Sequence, residues 1–260
     1  MPGDEATDYD AFFGPFYFEP YARELVARMD EGQQGEVLEL GAGTGRVTAQ
    51  IRKRIPAGSR LVASDIDAGM LAFAEKKLAQ LDIEWRIIDA CELPFEANTF
   101  QTIVCGFGYM FVPDKEKAFS EAYRVLRPGG QLLFTTWDKL ENNPASFIAR
   151  TIAEQYLTHP VPASYDTATS MSDAAEIETR LQGAGFRKIT IERLAVESGP
   201  TTAREAARVL SKSGIYPEVL EQNPDCVPDI ESRVHAALAA RFGESPMVAP
   251  ASALISQAWK

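Results

Sequence analysis

Nine residues constrain this chain more than any other feature: Val37-Leu38-Glu39-Leu40-Gly41-Ala42-Gly43-Thr44-Gly45. An apolar run leads directly into three glycines at alternate positions. This predicts a buried strand, a tight turn and a helix starting at about Arg46. Elements in that order put backbone N–H groups and a helix N-terminus at one rim of a sheet, where a nucleotide-like ligand can lie against bare main chain. Asp65 ends a second apolar run, Leu61-Val62-Ala63-Ser64-Asp65, twenty residues after Gly45. An acid at the tip of the second strand can accept hydrogen bonds from both ribose hydroxyls. The two features together mark a nucleoside-binding α/β domain.

The turn also bears on which nucleoside it takes. A dinucleotide site of the G-x-G-x-x-G type needs a small residue where the first helix packs on the strand. Here the spacing is G-x-G-x-G, and position 46 is Arg. Glu39, two positions before the first glycine, would be unwelcome beside a pyrophosphate. It suits a ligand that carries an ammonium and a sulfonium, so a cationic nucleoside is favoured over NAD.

Four runs follow in order: ELGAGTGR, SDIDAGMLAFAEKKL, IIDACELPFEANTFQTIVCGFGYMFVP and KAFSEAYRVLRPGGQLLFTTW. Over about residues 35–137 they resemble the successive motifs of the class I S-adenosylmethionine (AdoMet)-dependent methyltransferases. GFGYMFVPDKEKAF is similar to the small-molecule subgroup that includes the quinone-biosynthesis C-methyltransferases. The resemblance implies AdoMet as cofactor and a small organic molecule as methyl acceptor. It implies that Glu39, Gly41, Ala42, Gly43 and Gly45 line the methionine and ribose end, and that Asp65 takes the ribose hydroxyls. Ile66 would pack on one adenine face, Asp89 would accept from the exocyclic amine, and the Ala90 N–H would reach a ring nitrogen. Cys105, Gly106 and Phe107 would lie near the sulfonium and the acceptor. Gln101 stands where the family often has Asp, at a position expected to be structural.

The formal net charge of −11 argues against a nucleic-acid partner, since phosphate backbones demand a Lys/Arg-rich face and the one basic triplet is Arg52-Lys53-Arg54. That triplet reads as the solvated end of a helix. Cys91, Cys105 and Cys226 show neither metal-type spacing nor a disulfide framework, so buried thiols in a reducing compartment are expected. The N-terminus lacks an apolar signal core, and no run reaches the roughly 18 apolar residues a membrane helix needs. A cytoplasmic monomer or homodimer is expected.

Apolar runs near 36–40, 60–64, 84–88, 101–106 and 130–137 read as strands, and helical patterns near 45–54, 68–81 and 114–126 separate them. The third helix is expected to end at a Pro128-Gly129-Gly130 turn. Alternation of this kind implies parallel pairing, with ligands at the C-terminal strand ends. A sixth strand falls within 181–191 and a seventh at 253–259; the resemblance implies that the seventh is antiparallel and lies beside the fifth. The expectation is one domain over 1–260. It comprises a Rossmann-like, seven-stranded, mostly parallel sheet with helices on both faces, its last strand antiparallel. A helical cover spans 1–30, the AdoMet-binding core 35–137, and helical insertions at 139–171 and 199–247 form a substrate lid.

Six Phe or Tyr residues crowd positions 12–21. Such a cluster serves either packing or the roof of a site; Tyr9, Phe12, Phe16, Tyr17 and Tyr21 are candidates for the roof. Tyr109, Phe107 and Asp138, which immediately follows the fifth strand, are candidates for the acceptor side, as is His159. No single general base stands out. No nucleophile elbow, Walker loop or His/Cys metal cluster is present, and no metal is expected. Two rival readings remain at this level: a nicotinamide-dinucleotide oxidoreductase and an AdoMet-binding protein without transfer chemistry.

Overall fold

The computed structural model describes residues 3–30 and 35–260, with side chains from Ala6 onward; the first two residues of the expected N-terminal cover lie outside the described residues. The strands are β1 (Val37–Leu40), β2 (Leu61–Asp65), β3 (Glu84–Ile87), β4 (Phe100–Gly106), β5 (Leu126–Trp137), β6 (Arg187–Glu197) and β7 (Pro250–Trp259). They form one sheet in the order β3-β2-β1-β4-β5-β7-β6. β1 pairs in parallel with β2 and β4, β2 with β3, and β4 with β5. β7 inserts antiparallel between β5 and β6.

Period-two alternation sends neighbouring residues to opposite faces, so each central strand is apolar on both sides. Val37, Leu61, Val104, Leu133 and Ile255 pack with Leu25, Val26 and Ile51 from helices α2 (Glu19–Ala27) and α3 (Arg46–Arg54). Leu38, Val62, Ile103, Leu132 and Phe134 share the other cluster with Phe119, Ala122, Ile177 and Leu181. Those last four come from α5 (Lys115–Val125) and α7 (Ala174–Ala184). The sheet is thus covered on both faces. The Arg52-Lys53-Arg54 triplet occupies the last turn of α3, where cations oppose the helix dipole.

Three boundaries differ from those read in the sequence. α5 stops at Val125 and β5 begins at Leu126, so Pro128-Gly129-Gly130 lies inside a strand and not in a turn. A register shift between Phe100 and Thr102 accommodates it, with Gly129 at φ +77°. β6 continues to Glu197 because its pairing with β7 continues to Pro250. The helical leader breaks into α1 (Gly3–Phe13), a π-turn at Gly14–Phe18 around Pro15, and α2. Both expected insertions are helical. The first carries α6 (Pro144–Glu154); the second carries α8 (Ala203–Leu210), α9 (Tyr216–Gln222) and α10 (Val227–Phe242).

Candidate active site

A cavity of about 620 Å³ opens at the C-terminal ends of β1, β2 and β4. Gly41, Ala42, Gly43, Asp65, Ile66, Asp89, Ala90, Cys105 and Gly106 all line it. The glycine turn folds this way because Gly41, Gly43 and Gly45 all take positive φ, at +67°, +52° and +80°. The Gly43 N–H donates to Asp65 Oδ2 at 2.7 Å and the Asp67 N–H to Oδ1 at 2.9 Å, so Asp65 ties the turn to the end of β2. Asp67 then caps α4 (Ala68–Lys77) through the Gly69 and Met70 N–H groups. Gly45 does not line the cavity. A Cβ there would stand 2.9 Å from Leu78 Cδ1 and 3.2 Å from Ala74 Cβ, so this glycine serves close packing of the turn on α4.

Glu39 lies beneath the cavity floor, on β1 immediately before Leu40. It is fully buried, and neither carboxylate oxygen has a hydrogen-bond partner among the described residues. Burial pushes its carboxyl up to about 8; the neighbouring Thr48 hydroxyl and N–H oppose the shift, and the Asp65 carboxylate adds to it. Thr48 Oγ1 is likewise buried and unpartnered, so no hydrogen bond closes between the two side chains. A carboxylate held this way is costly until a cation or donor set reaches it.

The N-terminal cover closes the cavity from above. Asp10 on α1 accepts from Arg46 Nε at 2.9 Å and from Lys77 Nζ at 2.8 Å, which joins the cover to α3 and α4. Burial pushes the Asp10 carboxyl upward, but Arg46 and Lys77 together hold it below the ordinary range. Arg46, out of place in a dinucleotide turn, therefore serves as a strut to the cover, and its guanidinium lies against Gly14, where a Cβ would clash at 2.3 Å.

Tyr21, Phe107 and Tyr109 line this same cavity. Phe107 adopts φ +57°, rare for a residue with a side chain, and its ring stacks on Trp137 with centroids 4.1 Å apart. Tyr109 is buried with its hydroxyl unpartnered, and burial raises its pKa well above the ordinary value.

A second cavity, of about 290 Å³, adjoins the first; Tyr9, Phe18 and Phe111 line both. Tyr17 belongs to this second cavity, its hydroxyl 2.9 Å from Ser146 Oγ, and burial pushes its pKa up to about 12 against that hydrogen bond. Four candidates for the roof or the acceptor side, Phe12, Phe16, Asp138 and His159, line neither cavity. Phe16 is core, packed on Phe12 and Tyr17. Asp138 is fully buried, and its oxygens accept from the Lys139 N–H, Asn142, Arg193 and Ser252. His159 sits in an exposed loop beside Thr158 and Gln222. Sequence reasoning missed Phe18, Phe111, Trp137, Ser146 and Ser211. Trp137, at the C-terminal end of β5, carried the same strand-end signal that located Cys105; the two serines carried none.

A family described as a methyltransferase domain matches residues 37–130. The demethylmenaquinone methyltransferase of Lactiplantibacillus plantarum is 28% identical over 191 residues, which cover 66% of this chain and 79% of that protein. The ubiquinone/menaquinone biosynthesis C-methyltransferase UbiE of Idiomarina loihiensis is 29% identical, over 61% of this chain and 69% of that one. The matched domain and both relatives support a class I AdoMet-dependent methyltransferase that acts on a small molecule. In fold, it resembles the phosphoethanolamine N-methyltransferase 2 of Haemonchus contortus in complex with S-adenosyl-L-methionine, with a TM-score of 0.62 at 19% identity. That likeness covers 99% of this chain and 57% of the other, and it concerns the fold alone. As a small-molecule methyltransferase the chain needs no dinucleotide reading. Among the described residues no helix is long and apolar enough to cross a membrane, and no cluster of His, Cys, Asp and Glu could hold a metal ion.

Proposed function

We propose that the 620 Å³ cavity holds AdoMet through Asp65, Asp89, Ala90 and the glycine turn, with Glu39 answering its positive charge, and that the methyl acceptor is a small organic molecule. The observation that carries this reading is the fully buried Glu39 carboxyl with both oxygens unpartnered, since a cationic nucleoside supplies what it lacks. Asp65, already turned toward the cavity by two backbone N–H groups, would take the ribose hydroxyls. Asp89, held by the Cys91 N–H at 2.8 Å, and the Ala90 N–H would read the adenine edge. Ile66, exposed here, would be covered by the adenine ring.

Bound AdoMet supplies an activated methyl on a sulfonium. Such a transfer is governed chiefly by approach geometry and by exclusion of water. The aromatic cover, the insertions and the cage of Phe18, Tyr21 and Phe107 would supply both. Neither histidine lines either cavity, which supports catalysis by proximity without a side-chain base. A cytoplasmic setting is supported by the three unpaired, buried cysteines.

The test is calorimetric titration with AdoMet, S-adenosylhomocysteine and NAD, on the wild type and Asp65→Ala. We expect micromolar binding of the first two, none of NAD, and a loss of about 1.5–3 kcal/mol per lost charge-assisted hydrogen bond in the variant. Unchanged affinity in Asp65→Ala would remove the ribose assignment, and binding of NAD alone would overturn the cofactor.

A further inference from the structure

Pro20 decides what one turn of the N-terminal cover can do. In an α-helix the carbonyl of residue 16 accepts from the N–H of residue 20, and Pro20 has none. The chain meets this at the π-turn Gly14–Phe18, where the Glu19 N–H reaches back to the Gly14 carbonyl. The Phe16 carbonyl, left without an α-helical donor, accepts instead from the Gly199 N–H at 3.0 Å. Gly199 lies just beyond β6, at the root of the second insertion. Only glycine permits this approach. A Cβ on Gly199 would stand 2.1 Å from the Pro15 carbonyl oxygen and 2.8 Å from its carbon, both backbone atoms that cannot swing aside. Gly199 does not take a positive φ, so glycine is required here for proximity and not for conformation.

The same turn reaches three other parts of the molecule. Gly14 lies against the Arg46 guanidinium of α3, which Asp10 and Glu19 hold in place. The Tyr17 hydroxyl is 2.9 Å from Ser146 Oγ, on α6 of the first insertion. Phe18 lines both cavities. Gly199, for its part, cannot move alone. Beside it the Ser198 N–H donates to the Ala249 carbonyl at 2.8 Å, and Thr201 and Met247 exchange backbone hydrogen bonds at 3.1 and 2.7 Å, closing the insertion at its base. α8 then starts at Ala203. A line of direct contacts thus runs from the larger cavity through Phe18, the π-turn and Gly199 to the second insertion.

Resting on the cofactor reading above, we propose that the π-turn couples cofactor binding to the packing of the second insertion. A cofactor filling the larger cavity packs on Phe18 and fixes the turn, and the Phe16–Gly199 contact passes that order to the base of α8. Gly199 is then a positioning residue, since it lines neither cavity. A π-turn suits this role because relaxing it by one residue to α-helical spacing rotates one side against the other by about 100°. The turn therefore has two discrete arrangements that a ligand can bias. Such coupling is reciprocal: the factor by which the ligand stabilises the contact is the factor by which the contact tightens the ligand.

The test is amide hydrogen exchange on the full chain, with and without S-adenosylhomocysteine, beside calorimetry of the same ligand. In the wild type we expect the ligand to slow exchange at Gly199 and in the first turn of α8 roughly three- to tenfold, as well as at Gly43 and Gly45 in the glycine turn. Gly199→Ala, which forces turn and insertion apart, should abolish the ligand's effect on α8 and leave that on Gly43 and Gly45. Its affinity for S-adenosylhomocysteine should fall by the factor seen at Gly199 in the wild type. Should that variant not fold, Pro20→Ala returns an α-helical donor to the Phe16 carbonyl, adds no group at the contact, and should lower the protection at Gly199. Wild-type protection of the glycine turn with none at Gly199 or α8 overturns the proposal. A Gly199→Ala protein that keeps both wild-type affinity and α8 protection overturns it too, as does unchanged Gly199 protection in Pro20→Ala. Failure of S-adenosylhomocysteine to bind at all, with neither region protected, overturns the cofactor reading itself and the trigger with it.

Discussion

The larger cavity is walled by main chain and strand ends, and most of what lines it falls within residues 37–130; the smaller is walled by side chains from the cover and the insertions. A wall of backbone demands particular residues. Gly41 and Gly43 must take positive φ, and Asp65 must accept two specific N–H groups. A wall of side chains demands only volume and polarity, which many sequences supply. The first kind of site therefore constrains its residues closely, and the second leaves them freer to vary. Asp138 bears directly on that division, because it fastens the frame of the second cavity without lining it. Its carboxylate ties the end of β5 to the turn at Asn142, to Arg193 on β6 and to Ser252 on β7.

Asp138→Ala is expected to have the largest effect. It would leave buried donors on Ser252 and Asn142 unmatched, at a cost of about 2–4 kcal/mol, or a melting temperature lower by roughly 5–10 °C. The Arg193 pair contributes little to this, because that guanidinium is more than half exposed. S-adenosylhomocysteine affinity of the folded variant should stay within about twofold, because Asp138 does not line the larger cavity. A larger loss would mean that the two cavities are not separable. Although burial alone would raise it, the Asp138 carboxyl is held below its ordinary 3.8 by its hydrogen bonds to Lys139, Ser252, Asn142 and Arg193. The stability it contributes is thus present above that value and lost as pH falls through the lower folded one. Acid titration of stability should show wild type and variant converging below pH 3.8.

Glu39, beneath the floor of the larger cavity, gives the next effect. Its carboxyl sits at about 8, so below that pH the free protein carries a proton that a cationic ligand must displace. AdoMet affinity should rise up to about tenfold per pH unit from 6 toward 8, with proton release visible in buffers of different ionisation enthalpy. Glu39→Gln should flatten that slope. Stability of the free protein runs the other way: an acid raised in the fold adds no penalty below its ordinary 4.5, and the penalty grows as pH climbs to about 8. A pH-independent AdoMet affinity in the wild type would remove Glu39 from the site.

The same division explains what could be read from the chain. Val37–Leu40 and the turn after it were legible because an apolar run meeting alternate glycines has few other folds. Asp65 and Asp89 were legible as strand-end acids. Residues 128–130 read as a turn because Pro and Gly usually make one; the register shift opposite Phe100 that lets them sit in β5 is a pairing property no local pattern carries. Asp138 read as a rim residue from its place after β5, but its partners lie up to 114 residues away and draw it off the cavity. Ser146 and Ser211 look like any serine in or at the end of a helix; only packing of the insertions turns them inward. Arg46 announced that the turn was not a dinucleotide site, yet its partner Asp10, 36 residues earlier, gave no sign of its role.

That partnership supplies the smallest and most delicate test, because the cover belongs to both cavities. Tyr9 lines each of them, and the adjacent Asp10 fastens α1 to α3 and α4 through Arg46 and Lys77. Both cations are only partly buried, so the latch adds little to global stability, on the order of 1 kcal/mol or less. Its expected effect is kinetic. If α1 must lift before ligand leaves, Asp10→Asn should speed dissociation of S-adenosylhomocysteine roughly three- to tenfold, measured by stopped-flow displacement, with little change in melting temperature. Raising salt from low to about 0.5 M should speed release from the wild type, through screening of the latch, and do much less to the variant. An unchanged rate would mean that ligand escapes by another route, and that the cover serves the second cavity alone.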